Sequence, residues 1–192
     1  MRRIPICVIS AATLLTGCAI TSEPEPSQSK ENDAVIDAMV KAHGRTVDRA
    51  AIEQVIDRWH HAAATGDLDA YTVRMTEDAV FLGTEEPERW VGQEFIDFAT
   101  PYFDGPTEYG DGAWTYEPRE RWIELAESGE VAWFDERLSH ARYGRCRGTG
   151  VLVKEEDGAW RIAHYSLTFP VPNEVAGQVI DLIRTHEDAE RE

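Results

Sequence analysis

The chain has 192 residues and a formal charge of −17, with 29% charged side chains. That length suits one ordinary domain with tails and is short for two. So acidic a body is repelled by nucleic acid and by anionic headgroups, so no nucleic-acid partner is expected and no basic patch holds it to a membrane.

The chain opens "MRRIPICVISAATLLTGCA": Arg2 and Arg3, then about a dozen mostly apolar residues, then Leu15-Thr16-Gly17-Cys18. The apolar run is too short for the ~20 residues that span a bilayer and is built like an export leader. Residues 15–18 resemble the lipobox of bacterial lipoproteins. The resemblance implies a signal peptide over 1–17, cleavage before Cys18 and lipidation of Cys18, with an ordinary secretory leader as the alternative. Ala19, where an acidic residue is absent, implies the periplasmic side of the outer membrane in a Gram-negative host. Residues 18–45 are expected to be a flexible linker, since "AITSEPEPSQSKEND" is rich in Ser, Pro and Glu. With Cys7 removed and Cys18 lipidated, Cys146 stands alone and no intramolecular disulfide is available.

Next, "AAIEQVIDRWHHAAATGD" sets Ile52, Val55, Ile56, Trp59 and Ala63 at helical spacing; Gly66 ends that helix and Asp67 caps a short one over "LDAYTVRMTED". "AVFLG" and "ERWVG" read as short strands, and "QEFIDFATPYF" as a third helix with Phe95, Phe98 and Tyr102 on one face. From Trp114 the pattern changes. "WTYEPRERWIELAE", "EVAWFDERLSH", "CRGTGVLVKE" and "AWRIAHYSLTF" are long strands separated by Ser128-Gly129, Tyr143-Gly144 and Asp157-Gly158, which predicts consecutive antiparallel hairpins. Helices before a sheet argue for an α+β domain. Residues 174–192 form a last amphipathic helix and charged tail, with Val175, Val179, Leu182 and Ile183 as its stripe.

Alternation along strands assigns faces. A turn around Arg142-Tyr143 sets His140 opposite Arg145, and a three-residue loop at 156–158 pairs Glu155 with Ala159. One face then collects Phe134, Glu136, Leu138, Arg147, Thr149 and Tyr165; the other collects Trp133, Asp135, Arg137, His164 and Ser166. Both faces mix apolar residues with a few polar groups, so both are expected to be covered, one by the helices and the other by a second subunit. Gly148 and Gly150, inside a strand, are expected to allow a close approach, for instance of Trp133.

Together "IDRWHHAAATGDLDAYTVRMTEDAVFLG", "ERWVGQEF", "ERWIELAESGEVAWFDERL" and "GTGVLVKEEDGAWRIAHYSLTFPVPN" resemble a SnoaL-like domain of the nuclear transport factor two-like superfamily, placed at 46–173. The layout is also similar to the association domain of calcium/calmodulin-dependent kinase. The resemblance implies a cone: a strongly bent antiparallel sheet around the N-terminal helices, a cavity at the wide end and, commonly, a homodimer through the outer face. Isomerases, cyclases, dehydratases and pure binding modules share such a fold, so the site decides the function.

For that site the expected cavity carboxylate is Glu136, desolvated and raised in pKa as a general base, with Tyr165 as hydroxyl donor. Trp59, Tyr71, Phe134, Arg147 and Thr149 are expected to line a ligand pocket, and Trp133, Asp135, Arg137 and His164 an interface. A catalytic role for His164 requires a carboxylate that orients its ring. His60 and His61 are adjacent and diverge on a helix, and the histidines show no metal-ligand spacing, so neither metal nor cofactor is expected. The leading expectation is an envelope-anchored domain that binds a small apolar or carbonyl-bearing ligand, assembles as a dimer, or both. The alternatives are a proton-transfer enzyme using Glu136 and Tyr165, and a structural oligomerisation module.

Overall fold

The computed structural model describes residues 28–103, 114–189 and 191; the leader, Cys18 and the first part of the expected linker lie outside them. Contacts divide the chain between Met39 and Val40. Residues 28–39, on the N-terminal side of that division, are helical and belong to α1, which spans Gln28–Thr65. This corrects the expected linker, since residues 28–45 are helix. No Gly or Pro interrupts 28–43, and Ala34, Ala38, Met39, Lys41 and Ala42 all favour the helix. Every side chain from Lys30 to Gly44 is nonetheless exposed.

From Val40 onward the chain forms one folded unit. Ile52, Ile56, Trp59 and Ala63 give α1 a buried stripe, because side chains three and four apart share a helix face. The helix is held to the sheet by polar anchors as well. Arg45 donates to the carbonyls of Leu125 and Ala126 at 2.8 and 3.2 Å. Asp48 accepts from Lys154 and from the Trp160 indole at 2.8 and 3.0 Å. Gly66, at φ 70°, ends α1, and the Asp67 carboxylate caps α2 (Leu68–Thr72) by accepting from the Ala70 amide at 2.9 Å. In α3 (Gln93–Phe103) the buried residues are Phe95, Ala99 and Phe103, with Phe98 and Tyr102 packed partly buried beside them.

Six strands follow from the patterning: β1 (Met75–Leu82), β2 (Arg89–Val91), β3 (Glu117–Leu125), β4 (Val131–His140), β5 (Gly144–Lys154) and β6 (Trp160–Thr168). Their order is β2-β1-β6-β5-β4-β3. β3 to β6 are antiparallel neighbours as expected, but β6 returns beside β1 and runs parallel to it. The bent, unclosed sheet is therefore mixed, a correction to the fully antiparallel expectation. A 3₁₀ turn (Asn173–Val175) and α4 (Ala176–Ala189) end the described chain, and no side chain of either is buried.

The sheet register differs from the expected one at two places. The β4–β5 loop holds three residues, 141–143, and Gly144 at φ 71° already pairs with His140. All of β5 shifts by one, so Cys146, Gly148, Gly150 and Leu152 face the core in place of Arg147, Thr149 and Val151. On β6 the expected pairing holds near the turn, where Lys154 opposes Trp160 and Leu152 opposes Ile162. A bulge at Ala163 then pairs Val151 with His164 and Gly150 with Tyr165. Two one-residue shifts cancel, and Tyr165 lands on the same face as Glu136.

The inward glycines admit aromatic and carboxylate groups instead of Trp133, which lies on the outer face. A Cβ at Gly150 would sit 2.5 Å from the Phe134 ring and 2.8 Å from the His164 carbonyl. A backbone atom cannot swing aside, so Gly150→Ala should lower unfolding free energy by about 1–3 kcal/mol in urea denaturation. Gly177→Ala, which meets nothing within 4 Å, should show no loss.

Candidate active site

Glu136 is the fully buried acidic side chain of the sheet, at 0% exposure. Its Oε1 accepts a hydrogen bond from His60 Nε2 at 2.6 Å, and its Oε2 accepts from Arg121 Nε at 2.9 Å. Arg121 stands directly across from Glu136 on β3, and its Nη1 donates to Asp57 Oδ1 at 2.7 Å. Asp57 and His60 lie three residues apart on α1, so one helix face delivers both ends of the chain. The third guanidinium nitrogen, Arg121 Nη2, is buried without a partner among the described residues.

The electrostatics follow from this arrangement. Burial by itself raises the Glu136 pKa, but the hydrogen bond from His60, the charge His60 carries when protonated, and Arg121 outweigh it, so the carboxyl lies below its ordinary 4.5. Burial pulls the Arg121 pKa down, and Glu136 and Asp57 carry it above its ordinary value. Glu136 is thus a held carboxylate, and it is absent from the cavity wall. Both facts correct the expectation of a raised-pKa general base. An ionised Glu136 requires His60 to donate from Nε2, which leaves Nδ1 as the ring atom able to take and give protons.

His60 lines a cavity of about 350 Å³ whose wall is largely aromatic, with Trp59, Tyr71, Phe81, Trp90, Trp114 and Tyr165 in it, and also carries the polar Thr84, Glu85 and Glu88. Trp59 stacks on Tyr71 at 4.6 Å between ring centroids and meets Tyr165 edge-on at 4.6 Å. Phe81 stacks on Phe95 at 4.4 Å, and Trp90 on Phe98 at 3.9 Å. The Trp59 indole N–H is buried without an acceptor among the described residues. Burial, first, and the nearby Glu136 charge push the Tyr165 pKa well up, so its phenol stays protonated. The close approach depends on Gly148, since a Cβ there would lie 2.4 Å from Tyr165 Oη and 3.0 Å from Glu136 Oε1.

Trp59, Tyr71 and Tyr165 stand on the cavity wall. Phe134 is buried on the same sheet face but is absent from the wall, its ring 6.2 Å from that of Tyr165. Arg147 and Thr149 are corrected outright: the three-residue turn sends them to the outer face, Arg147 exposed and Thr149 half-buried. Trp133, Asp135 and Arg137 are exposed on that outer face, and His164 is half-buried there between Val80 and Val151. The half-exposed Trp122 joins them, with the Arg137 guanidinium 5.3 Å from its ring.

His60, Arg121 and Asp57 escaped the sequence reading. The available signals were the 57/60 spacing beside buried Ile56 and Trp59, and pairing across the Ser128-Gly129 turn, which sets Arg121 opposite Glu136. A wider depression of about 590 Å³ lies along α2, β1 and the start of α3, but it brings no paired acid and base together. Among the described residues no group of three His, Cys, Asp or Glu is placed to hold a metal ion.

A bent sheet over helices, enclosing an aromatic-rich cavity with an oriented histidine, is a fold of the nuclear transport factor two-like kind. The chain belongs to the SnoaL-like domain family, whose model matches residues 52–172. No curated protein matches it. Solved structures share the fold at low identity. One is a nuclear transport factor two-like protein of unknown function from Pseudomonas putida KT2440, with TM-score 0.54 and 18% identity, covering 68% of this chain and 92% of that one. Another is a single-residue variant of a protein of unknown function from Mycobacterium tuberculosis, with TM-score 0.54 and 18% identity over 71% and 79% of the two chains. A candidate scytalone dehydratase from Novosphingobium aromaticivorans DSM 12444 has TM-score 0.55 and 12% identity over 68% and 89%.

The depressed Glu136 pKa has a signed consequence for stability. Its contribution is fully present above the unfolded-state value near 4.5 and is lost as pH falls through the lower folded value. Glu136→Gln should therefore be less stable than the parent by about 1–3 kcal/mol at neutral pH. The gap should close as pH drops below about 4.5, read by urea denaturation across a pH series.

Proposed function

We propose that this SnoaL-like domain binds a small, flat, largely apolar molecule bearing a carbonyl group and moves a proton on it. The observation that carries the reading is His60 on the cavity wall with its Nε2 2.6 Å from a fully buried carboxylate. Nδ1 of His60 accepts a proton from the carbon next to the carbonyl, and the imidazolium formed is stabilised by Glu136. Arg121 and Asp57 hold the carboxylate in place. Tyr165, kept protonated, supplies a hydroxyl donor to the cavity.

The reading includes attachment to the cell envelope through Cys18, supported by the leader and the lipobox-like residues 15–18. It also includes a homodimer through the outer face of the sheet, around Trp133, Asp135, Arg137 and His164, supported by the half-exposed Trp122 and Trp133. A second reading, capture of a ligand without turnover, is favoured by the unpaired indole N–H of Trp59.

2-Tetralone, a flat ketone with acidic hydrogens, separates the two. The parent protein should accelerate deuterium uptake at the carbon between ring and carbonyl in D₂O, followed by proton NMR. His60→Gln should lose about 100-fold or more of that acceleration, and Glu136→Gln about tenfold, with the fold checked by circular dichroism. Binding without faster exchange would leave ligand capture as the function. Equal rates for parent and His60→Gln would remove His60 as the base.

A further inference from the structure

His140 is the last residue of β4 and lines the same cavity as His60. Its Nδ1 accepts hydrogen bonds from two backbone amides of the following turn, those of Arg142 and Tyr143, each at 3.2 Å. Two donors aimed at one ring nitrogen require a lone pair there, so the hydrogen of the neutral ring sits on Nε2. Protonating the ring would put a hydrogen on Nδ1, against both amides. Burial, first, and the charge of Arg142 act in the same direction and lower its pKa.

The ring plane is fixed as firmly as the tautomer. His140 lies between Tyr116 and Tyr143, with centroids 4.7 Å away on each side, and Phe169 continues the row 4.9 Å beyond Tyr143. Tyr116, Tyr143 and Phe169 line the cavity too, and Tyr143 and Phe169 are its more exposed aromatic residues. With Nδ1 engaged by the turn, Nε2–H occupies the far side of the ring. No acceptor for it is found among the described residues. A donor locked in tautomer and plane, on a wall of aromatic rings that also carries Thr84, Glu85 and Glu88, is built to meet an oxygen.

We infer that His140 is an oxygen-binding residue of this cavity, its Nε2–H donating to the carbonyl or hydroxyl oxygen of a flat ring ligand. The inference rests on the reading of the cavity as a ligand site and adds the substrate class: a cyclic compound with an oxygen at its rim. The two histidines then divide the work. His60 is backed by an anion and suited to accept a proton, whereas His140 is backed by donors and suited to give a hydrogen bond while staying neutral.

The test compares 2-tetralone with tetralin, the hydrocarbon lacking its oxygen, by NMR titration of the ¹⁵N-labelled protein. The parent should bind the ketone about tenfold more tightly. His140→Phe, which keeps a ring in the stack, should bring the two ligands within about twofold, with tetralin affinity unchanged. Long-range ¹H–¹⁵N spectra of the parent should show His140 as the Nε2–H tautomer, a reading that needs no variant. The inference is overturned by a parent that does not discriminate, by a His140→Phe protein that keeps the ketone preference, or by the Nδ1–H tautomer. His60→Gln serves as the independent control: it should keep the preference and lose the exchange. If it keeps both, His60 fails as the base while His140 stands.

Discussion

A carboxylate shut inside a sheet has to be met by donors on every side, and Glu136 sets that demand for this molecule. An unpaired charge there would cost several kcal/mol, and even a paired one recovers its desolvation only with good geometry. β3 answers with Arg121 and α1 answers with His60, so the strand and the helix are tied to β4 by the same two oxygens. Asp57 then meets the outer end of Arg121. The helix cannot slide by a turn without breaking two of these bonds together, and for that reason the His60 ring has one position against the cavity.

Much of this architecture was legible in the sequence. Gly66 and Asp67, the strand lengths, and the turns with Gly129, Gly144 and Gly158 all announced themselves by local chemistry, because caps and left-handed glycines act within a few residues. Alternation alone put Glu136 on one face with Phe134 and Leu138, and the family resemblance made that face the inner one. Counting across the β5–β6 loop held near the turn, but one residue fewer in the β4–β5 turn inverted β5 and turned Arg147 and Thr149 outward. The parallel pairing of β1 with β6 is similarly non-local, since no turn joins those strands.

The role of His60 was hidden for a related reason. Next to His61 in a helix it reads as one of two diverging rings without metal-ligand spacing, and its partner carboxylate lies 76 positions away. The sequence reading asked for a carboxylate orienting a histidine and attached that requirement to His164, whereas the structure places such a pair at His60 and Glu136. His164 lies on the outer face, where the inner carboxylate does not reach it. Chemistry of this kind is stated by pairs, and pairs become visible only once register and helix phase are known together.

The bulge at Ala163 gives the sheet a property beyond its geometry. Before it, even-numbered residues of β6 point inward, Trp160 and Ile162; after it, odd-numbered ones do, Tyr165 and Leu167. The strand thus carries a phase slip that separates a packed foot from a cavity-bearing head. Each half keeps its own parity, so the register that presents Tyr165 to the cavity is set locally, downstream of the slip, and is insulated from the hairpin at 155–159 that closes the other end.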